Sequence, residues 1–337
     1  MPPSDAEKST ARWAPWWGLV LRGLILSAAL VFVAWGVRWH DMSDALRRAG
    51  FALPAVVVAL NACMMSLRAL RLRILLRGDL SFASSFVALL TSSAINNLTP
   101  FRGGNVARLW MLERAAGVTK SAAVALTLVE NLLEVTVLAA IGFVASCFVI
   151  GQRWATLATP VVLSAAIAVL ILLRLTTGRA ADAAPTARPR IGSPGWVEKG
   201  RQLLLQFEPG FRALSKPGVA AQAMLLSLLA WICEATMILL CARSLGLQIP
   251  LPLATVVLLG INLALALPST PASAGPFEGA AVAVLMLAGF AKAPAVALAI
   301  FYHAIQVIPV TLVGVTVVLL TKRRQASQAG RLEHRIV

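Results

Sequence analysis

The chain has 337 residues, of which 59% are hydrophobic and 13% charged, with a formal charge of +16. Soluble domains carry about 25% charged residues, so this balance excludes an ordinary soluble domain and points to a membrane protein. The positive charge does not point to nucleic acid, because the basic residues sit at the ends of apolar runs rather than along one face with aromatics.

In chain order, apolar runs of about 20 residues predict the spans. A short tail, residues 1–15, precedes the first span at 16–37, where Arg22 can snorkel to the surface. No small-residue cleavage site followed by a soluble domain accompanies it, so it reads as an anchor rather than a removed signal. The stretch "DMSDALRRAGF" then predicts an amphipathic segment on the outer face. Spans follow at 52–76, 121–150 and 155–174. After a linker, 175–217, rich in Pro, Ala and Arg, come spans at 218–241 and 294–321 and a tail, 323–337. The linker ends in a segment with Leu203, Leu204, Phe207 and Phe211 on one face, expected to lie on the bilayer.

Two further apolar stretches, 80–98 and 250–267, end in Pro/Gly breaks, "TPFRGG" and "STPASAGPFEG". Each is followed by a short helix only, which predicts two re-entrant hairpins. With a cytoplasmic amino terminus this arrangement places all Lys and Arg inside except Arg38, Arg47, Arg48, Arg153, Arg243 and Lys292, as the positive-inside rule requires. Both termini are then cytoplasmic. Span, hairpin and span recur as units of about 52–150 and 218–321 that start from opposite sides. The expectation is an all-α polytopic membrane protein, a transmembrane domain over 16–322 with about six full spans plus two re-entrant helical hairpins in two inverted units. Inverted units with discontinuous helices are a transporter pattern, with the site where broken ends meet near the midplane.

The four cysteines, Cys63, Cys147, Cys233 and Cys241, lie in apolar spans and form no C-x-x-C or Cys/His cluster, so neither metal nor disulfide framework is expected. No cofactor motif is present, and there is no P-loop, G-x-S-x-G or H-E-x-x-H. The informative groups are acids inside apolar helices: Glu130, Glu134, Glu234 and Glu278. A charge at a span centre costs about 2.5–3.5 kcal/mol even on a mild insertion scale. Glu130 and Glu134 share a helix face, and Glu130 lies roughly 14 Å along its helix from Ser121. Pairing with Arg102 or Arg108 is one explanation and a functional site is the other. A helix broken at Pro100 exposes backbone N–H groups near Gly103 and Gly104, and Arg102 adds a fork of donors able to hold an anionic headgroup.

The run "TPFRGGNVARLWMLERAAGVTKSAAVALTLVENLLE" and the later "PASAGPFEGAAVAVLMLAGFAKAPAVALAIFYHAIQVIPVTLVG" resemble the two hallmarks of the lysylphosphatidylglycerol synthase transmembrane-region family, also described as flippase-like. The first hallmark is T-P-G-R-x-G-E-x-x-R, an L-x-R-x-x-G step and an E-R-x-x-D run. The second is P-x-x-x-G-x-x-E-G with a later Y-R. The resemblance covers about residues 15–322. It implies lipid translocation at a bacterial inner membrane, as in the membrane half of the multiple peptide resistance factor. The implied lipids are phospholipids, hopanoids or glycolipids, and the implied partners are envelope-lipid biosynthetic enzymes. Position by position it points to Pro100, Arg102, Gly104, Arg108, Glu130 and Glu134, and to Pro271, Gly275, Glu278, Gly279 and Tyr302. Asn105 stands where Glu is usual, Asn131 where Arg is, Glu134 where Asp is, and His303 where Arg is. The aminoacyl-transfer domain of the resistance factor is absent, so lysine transfer is not expected. Gly103 and His303 complete the candidate set for binding and translocation. A lipid transporter is the leading reading, moving an anionic or polar-headgroup lipid. The alternatives are a membrane transferase acting on a lipid-linked substrate and a non-transporting pathway partner.

Overall fold

The computed structural model describes residues 52–99, 103–149, 216–265 and 271–336, together with 164, 167 and 214, and side chains as far as 321. The expected spans 16–37 and, but for 164 and 167, 155–174, nearly all of the two surface segments, most of the linker, Pro100 and Arg102 lie outside the described residues.

Each hairpin is built from local sequence rules. Helix α1, Ala52–Leu75, ends at a turn in which Arg77 and Gly78 both take positive φ. Ser81 then caps α2, Phe82–Leu98, its hydroxyl accepting from the Ser84 N–H at 3.1 Å. Beyond the break come α3, Gly103–Ala116, and α4, Lys120–Ser146, capped by the Thr119 hydroxyl on the Ala122 N–H at 3.3 Å. In the second half α5, Pro217–Ser244, starts on a proline whose missing N–H costs nothing there. Helix α6, Leu251–Leu265, runs to the second break. A single 3-10 turn, Pro271–Ser273, leads through Gly275 into α7, Pro276–Leu287. The last helix, α8, Lys292–Ile336, continues through what the sequence suggested was a tail.

All elements among the described residues are helical. Four are long and apolar enough to cross a membrane by length and composition: Ala52–Leu75, Lys120–Ser146, Pro217–Ser244 and Lys292–Thr321. They coincide with four of the six expected spans, and the two shorter broken pairs fall where hairpins were expected.

Most of the packing between helices comes in matched pairs, and α5 also packs on α8. Helix α1 packs on α2 as α5 does on α6; α2 packs on α3 as α6 on α7; α3 packs on α4 as α7 on α8. Across the halves, α2 lies on α8 as α6 lies on α4, α8 touches α1 as α4 touches α5, and α1 packs on α5. Glycines set two of the closest approaches. A Cβ at Gly104 would stand 1.9 Å from the Ser92 carbonyl oxygen, so α3 lies directly on the backbone of α2. A Cβ at Gly314 would stand 2.5 Å from Ala94 Cβ, which brings α8 onto the same helix.

The polarity is inside out. Arg71 and Glu130 are 3% exposed, while Leu312 is 64% exposed and Val106 and Trp110 about half. Water would reverse that preference, whereas lipid is as apolar as leucine and supports it.

Candidate functional site

The core of the first half is an ion network. On α1, Arg68 and Arg71 stand three residues apart and share a face. On α4, Glu130 and Glu134 stand one turn apart. Arg71 donates to Glu134 Oε1 and to Ser227 Oγ, both at 2.7 Å, and lies 3.5 Å from Glu130 Oε1. Arg108, from α3, donates to Glu130 Oε2. Arg68 bridges the halves, with Nε 3.3 Å from Glu134 and a terminal nitrogen 3.3 Å from Glu234 Oε2 on α5. Its guanidinium also lies 5.7 Å from the Trp231 ring. Glu234 Oε1 accepts from the Tyr302 hydroxyl at 3.3 Å and from Gln306 Nε2 at 2.9 Å.

Beside this network the second break forms a different arrangement. Glu278, third residue of α7, turns back to its own helix start and accepts from the Gly275 N–H at 2.7 Å. Its other oxygen lies 2.6 Å from His303 Nδ1. His303 Nε2 lies 2.9 Å from the Ala272 carbonyl oxygen, and its ring stacks on Phe277 at 4.1 Å between centroids. Ala272 and Ser273 both have φ near +60°, a left-handed conformation that side chains disfavour. The surrounding contacts hold this strain in place, as at many functional sites.

Between these two arrangements lies a cavity of about 310 Å³. Asn96, Asn97 and Thr99 come to it from the end of α2, Asn262 and Leu265 from the end of α6, and Ala272 and Ser273 from beyond the second break. Asn61 and Arg68 of α1, Glu134 of α4, Glu234 of α5, and His303 and Gln306 of α8 complete its polar wall. Both broken helices therefore end at one polar chamber inside an apolar bundle.

Of the residues singled out from the sequence, Glu134, Glu234 and His303 line this cavity. Glu278 reaches it through His303, and Tyr302 through Glu234 and Gln306. Arg108 and Glu130 stand behind the wall, buried against Arg71 and outside the lining. Gly103 and Gly104 begin α3, where Gly104 serves helix contact. Gly275 caps α7, and the anion position at that helix start is filled by Glu278. Sequence reasoning missed Arg68, Arg71, the amides of Asn61, Asn96, Asn97, Asn262 and Gln306, and the bridging part of Glu234. The i,i+3 arginines on α1, matched to the i,i+4 glutamates on α4, were the available signal. Arg68 and Arg71 fall in the segment 68–77 expected at the cytoplasmic side, and the structure pairs both with carboxylates of neighbouring helices.

An all-helical bundle with lipid-type exterior and an ionic interior defines the class: a helical membrane protein. Residues 19–314 match the family model described as the lysylphosphatidylglycerol synthase TM region, and the chain belongs to that family, in keeping with the resemblance read from its two motifs. No curated protein matches the chain.

Proposed function

We propose that the protein is a lipid flippase: two inverted units, about 52–150 and 218–321 and joined by the cytoplasmic linker 175–217, pass a polar headgroup through the central cavity while the acyl chains stay in the bilayer. The observation that carries this reading is the polar chamber at the point where both broken helices end. The matched helix contacts support the pairing of the two units, because the packing of α2 on α1, α3 and α8 has counterparts in the packing of α6 on α5, α7 and α4. A headgroup confined to a polar chamber avoids the cost of crossing hydrocarbon. The proposed setting is the bacterial inner membrane, with six full spans, two re-entrant hairpins and both termini cytoplasmic. Glu134, Glu278, Tyr302 and His303 belong to the translocation site in this reading. Arg108 and Glu130 fix the first hairpin behind it.

One observation favours a second reading, a transferase acting on a lipid-linked substrate: Glu278 and His303 form a contact of acid–base type at 2.6 Å beside the cavity. Reconstitution of the purified protein into liposomes with fluorescent lipids separates the two. Accelerated leaflet exchange without a new lipid species supports the flippase. A new lipid species with no exchange overturns it in favour of the transferase, and absence of both leaves a non-transporting partner of envelope-lipid enzymes.

A further inference from the structure

Helix α8 carries a proline, Pro309, in its interior. Proline has no N–H for the carbonyl four residues back, that of Ile305, and its ring crowds the same oxygen. In lipid no water takes up the freed group, so a neighbouring helix has to supply a donor. Asn61 of α1 does so. Its Nδ2 donates to the Gln306 carbonyl at 3.1 Å and reaches the Ile305 carbonyl at 3.5 Å, across more than half the chain. Asn61 is buried, and its Oδ1 has no hydrogen-bond partner among the described residues. The freed carbonyl is thus met by one long hydrogen bond from an amide that is itself half satisfied. Such a contact is weak enough to open.

The two sides of Pro309 belong to different hairpins. On the amino-terminal side, His303 stacks on Phe277 of α7 at 4.1 Å and meets Glu278 at 2.6 Å, and the Tyr302 ring lies 5.7 Å from Phe277. On the carboxy-terminal side, Thr311 accepts from Asn97 of α2 at 2.9 Å, and Gly314 lies against Ala94 and Leu90 of the same helix. Apolar packing divides at the same place. Tyr302 and Ile305 join the cluster that holds Phe277 and Leu285 of α7, whereas Val310 and Val317 join a separate one with Leu90 and Phe86 of α2. Gln306, Val307 and Val310, on both sides of the proline, line the chamber.

Resting on the flippase reading, we propose that Pro309 is a hinge in the chamber wall: α8 bends there, with the Asn61 amide as its latch, so that the second hairpin swings against the first and opens the chamber. A helix already missing one rung of its ladder bends most easily at that rung. Hinges of this kind need only a few residues to absorb the backbone change, and rocking of one unit against the other is how transporters built from inverted units expose a central site.

The test places spin labels at Ala291→Cys and Leu320→Cys, both exposed and on opposite sides of Pro309. The full chain is used in phosphatidylethanolamine and phosphatidylglycerol nanodiscs, with Cys63, Cys147, Cys233 and Cys241 replaced by alanine. A straight, rigid helix gives one distance between the labels, roughly 43 Å; the hinge adds a second, shorter population in double electron–electron resonance. Pro309→Ala restores the missing N–H. It should abolish the shorter population and slow leaflet exchange in liposomes by about tenfold, the worth of one recovered hydrogen bond, with a melting temperature no lower than the parent's. Asn61→Leu removes the latch and should enlarge the shorter population. A single distance in the parent overturns the proposal whatever the variants do. Unchanged populations in folded Pro309→Ala overturn it too, as does exchange at the parent's rate. If both populations appear and Pro309→Ala removes one, but the parent exchanges no lipid, the hinge stands and the flippase reading falls.

Discussion

A carboxylate serves each hairpin, Glu130 on α4 behind the first and Glu278 beside the second break, and the two are held by different chemistry. Glu130, serving the first hairpin, is fixed by Arg108 and Arg71, whose guanidinium groups keep their protons at any accessible pH. Glu278, in the second, is held by the Gly275 N–H and by His303. Because His303 Nε2 faces a carbonyl oxygen, that nitrogen carries a hydrogen. Nδ1 then meets the Glu278 carboxyl in a second polar contact. One hairpin is braced by two arginines, the other by a histidine and a strained turn.

The largest effect should come from breaking the permanent clamp. Glu130→Ala leaves Arg108 and Arg71 buried with a lost partner, a cost of about 3–5 kcal/mol, and should empty the folded peak in size-exclusion chromatography. The double variant Glu130→Met with Arg108→Leu should recover folded protein relative to Glu130→Ala, since an apolar pair of similar size is tolerated where a lone charge is not. A double variant as poor as the single one would show that the pair does more than brace.

Next in size is the glycine contrast between hairpins. A Cβ at Gly104 meets backbone, the Ser92 carbonyl oxygen at 1.9 Å, whereas at Gly260 it meets only Val284 Cγ2 at 2.7 Å. Backbone cannot turn aside and a valine methyl can. Gly104→Ala should therefore cost about 1–3 kcal/mol by overpacking, with Gly260→Ala clearly milder in the same melting assay. Equal melting shifts would show that the backbone contact at Gly104 is no closer in effect than the side-chain contact at Gly260.

Smaller again, His303→Phe keeps an aromatic ring against Phe277 and loses both polar contacts of the histidine. A loss of about 1–2 kcal/mol in melting is expected, well below that of Glu130→Ala. A loss as large as the latter would make the second hairpin a clamp like the first. Lys120→Ala should do least. Lys120 joins α4 to Glu113 of α3 at 3.8 Å and lies over the Trp110 ring, but it is more than half exposed. Its removal should shift stability by less than about 1 kcal/mol, although it links the same two helices as the buried Arg108–Glu130 pair.

Much of this fold was legible in the sequence because its signals are local. Span lengths and the Pro/Gly breaks depend on neighbours in the chain, and the family motifs lie in continuous runs. Arg108 with Glu130 was open to reading because the two stand 22 residues apart on consecutive helices. The rest of the site was hidden for a physical reason. Arg71 reaches Glu134 across 63 positions and Arg68 reaches Glu234 across 166, and hydropathy carries no information on such pairings. Asn61, Asn96, Asn97 and Asn262 stand out less than charged residues inside apolar helices, because an uncharged amide there carries the same desolvation argument on a smaller scale.

The central claim is that the headgroup path runs through the chamber between the hairpins. Ser93 lines that chamber on α2, and Ser93→Cys changes it by one atom, so the protein can fold before the path is blocked. After reconstitution into liposomes, a bulky methanethiosulfonate reagent should stop leaflet exchange in Ser93→Cys, and dithiothreitol should restore it. The parent, with Cys63, Cys147, Cys233 and Cys241, serves as the control and should be little affected. Complete labelling of Ser93→Cys with exchange unchanged would contradict the account.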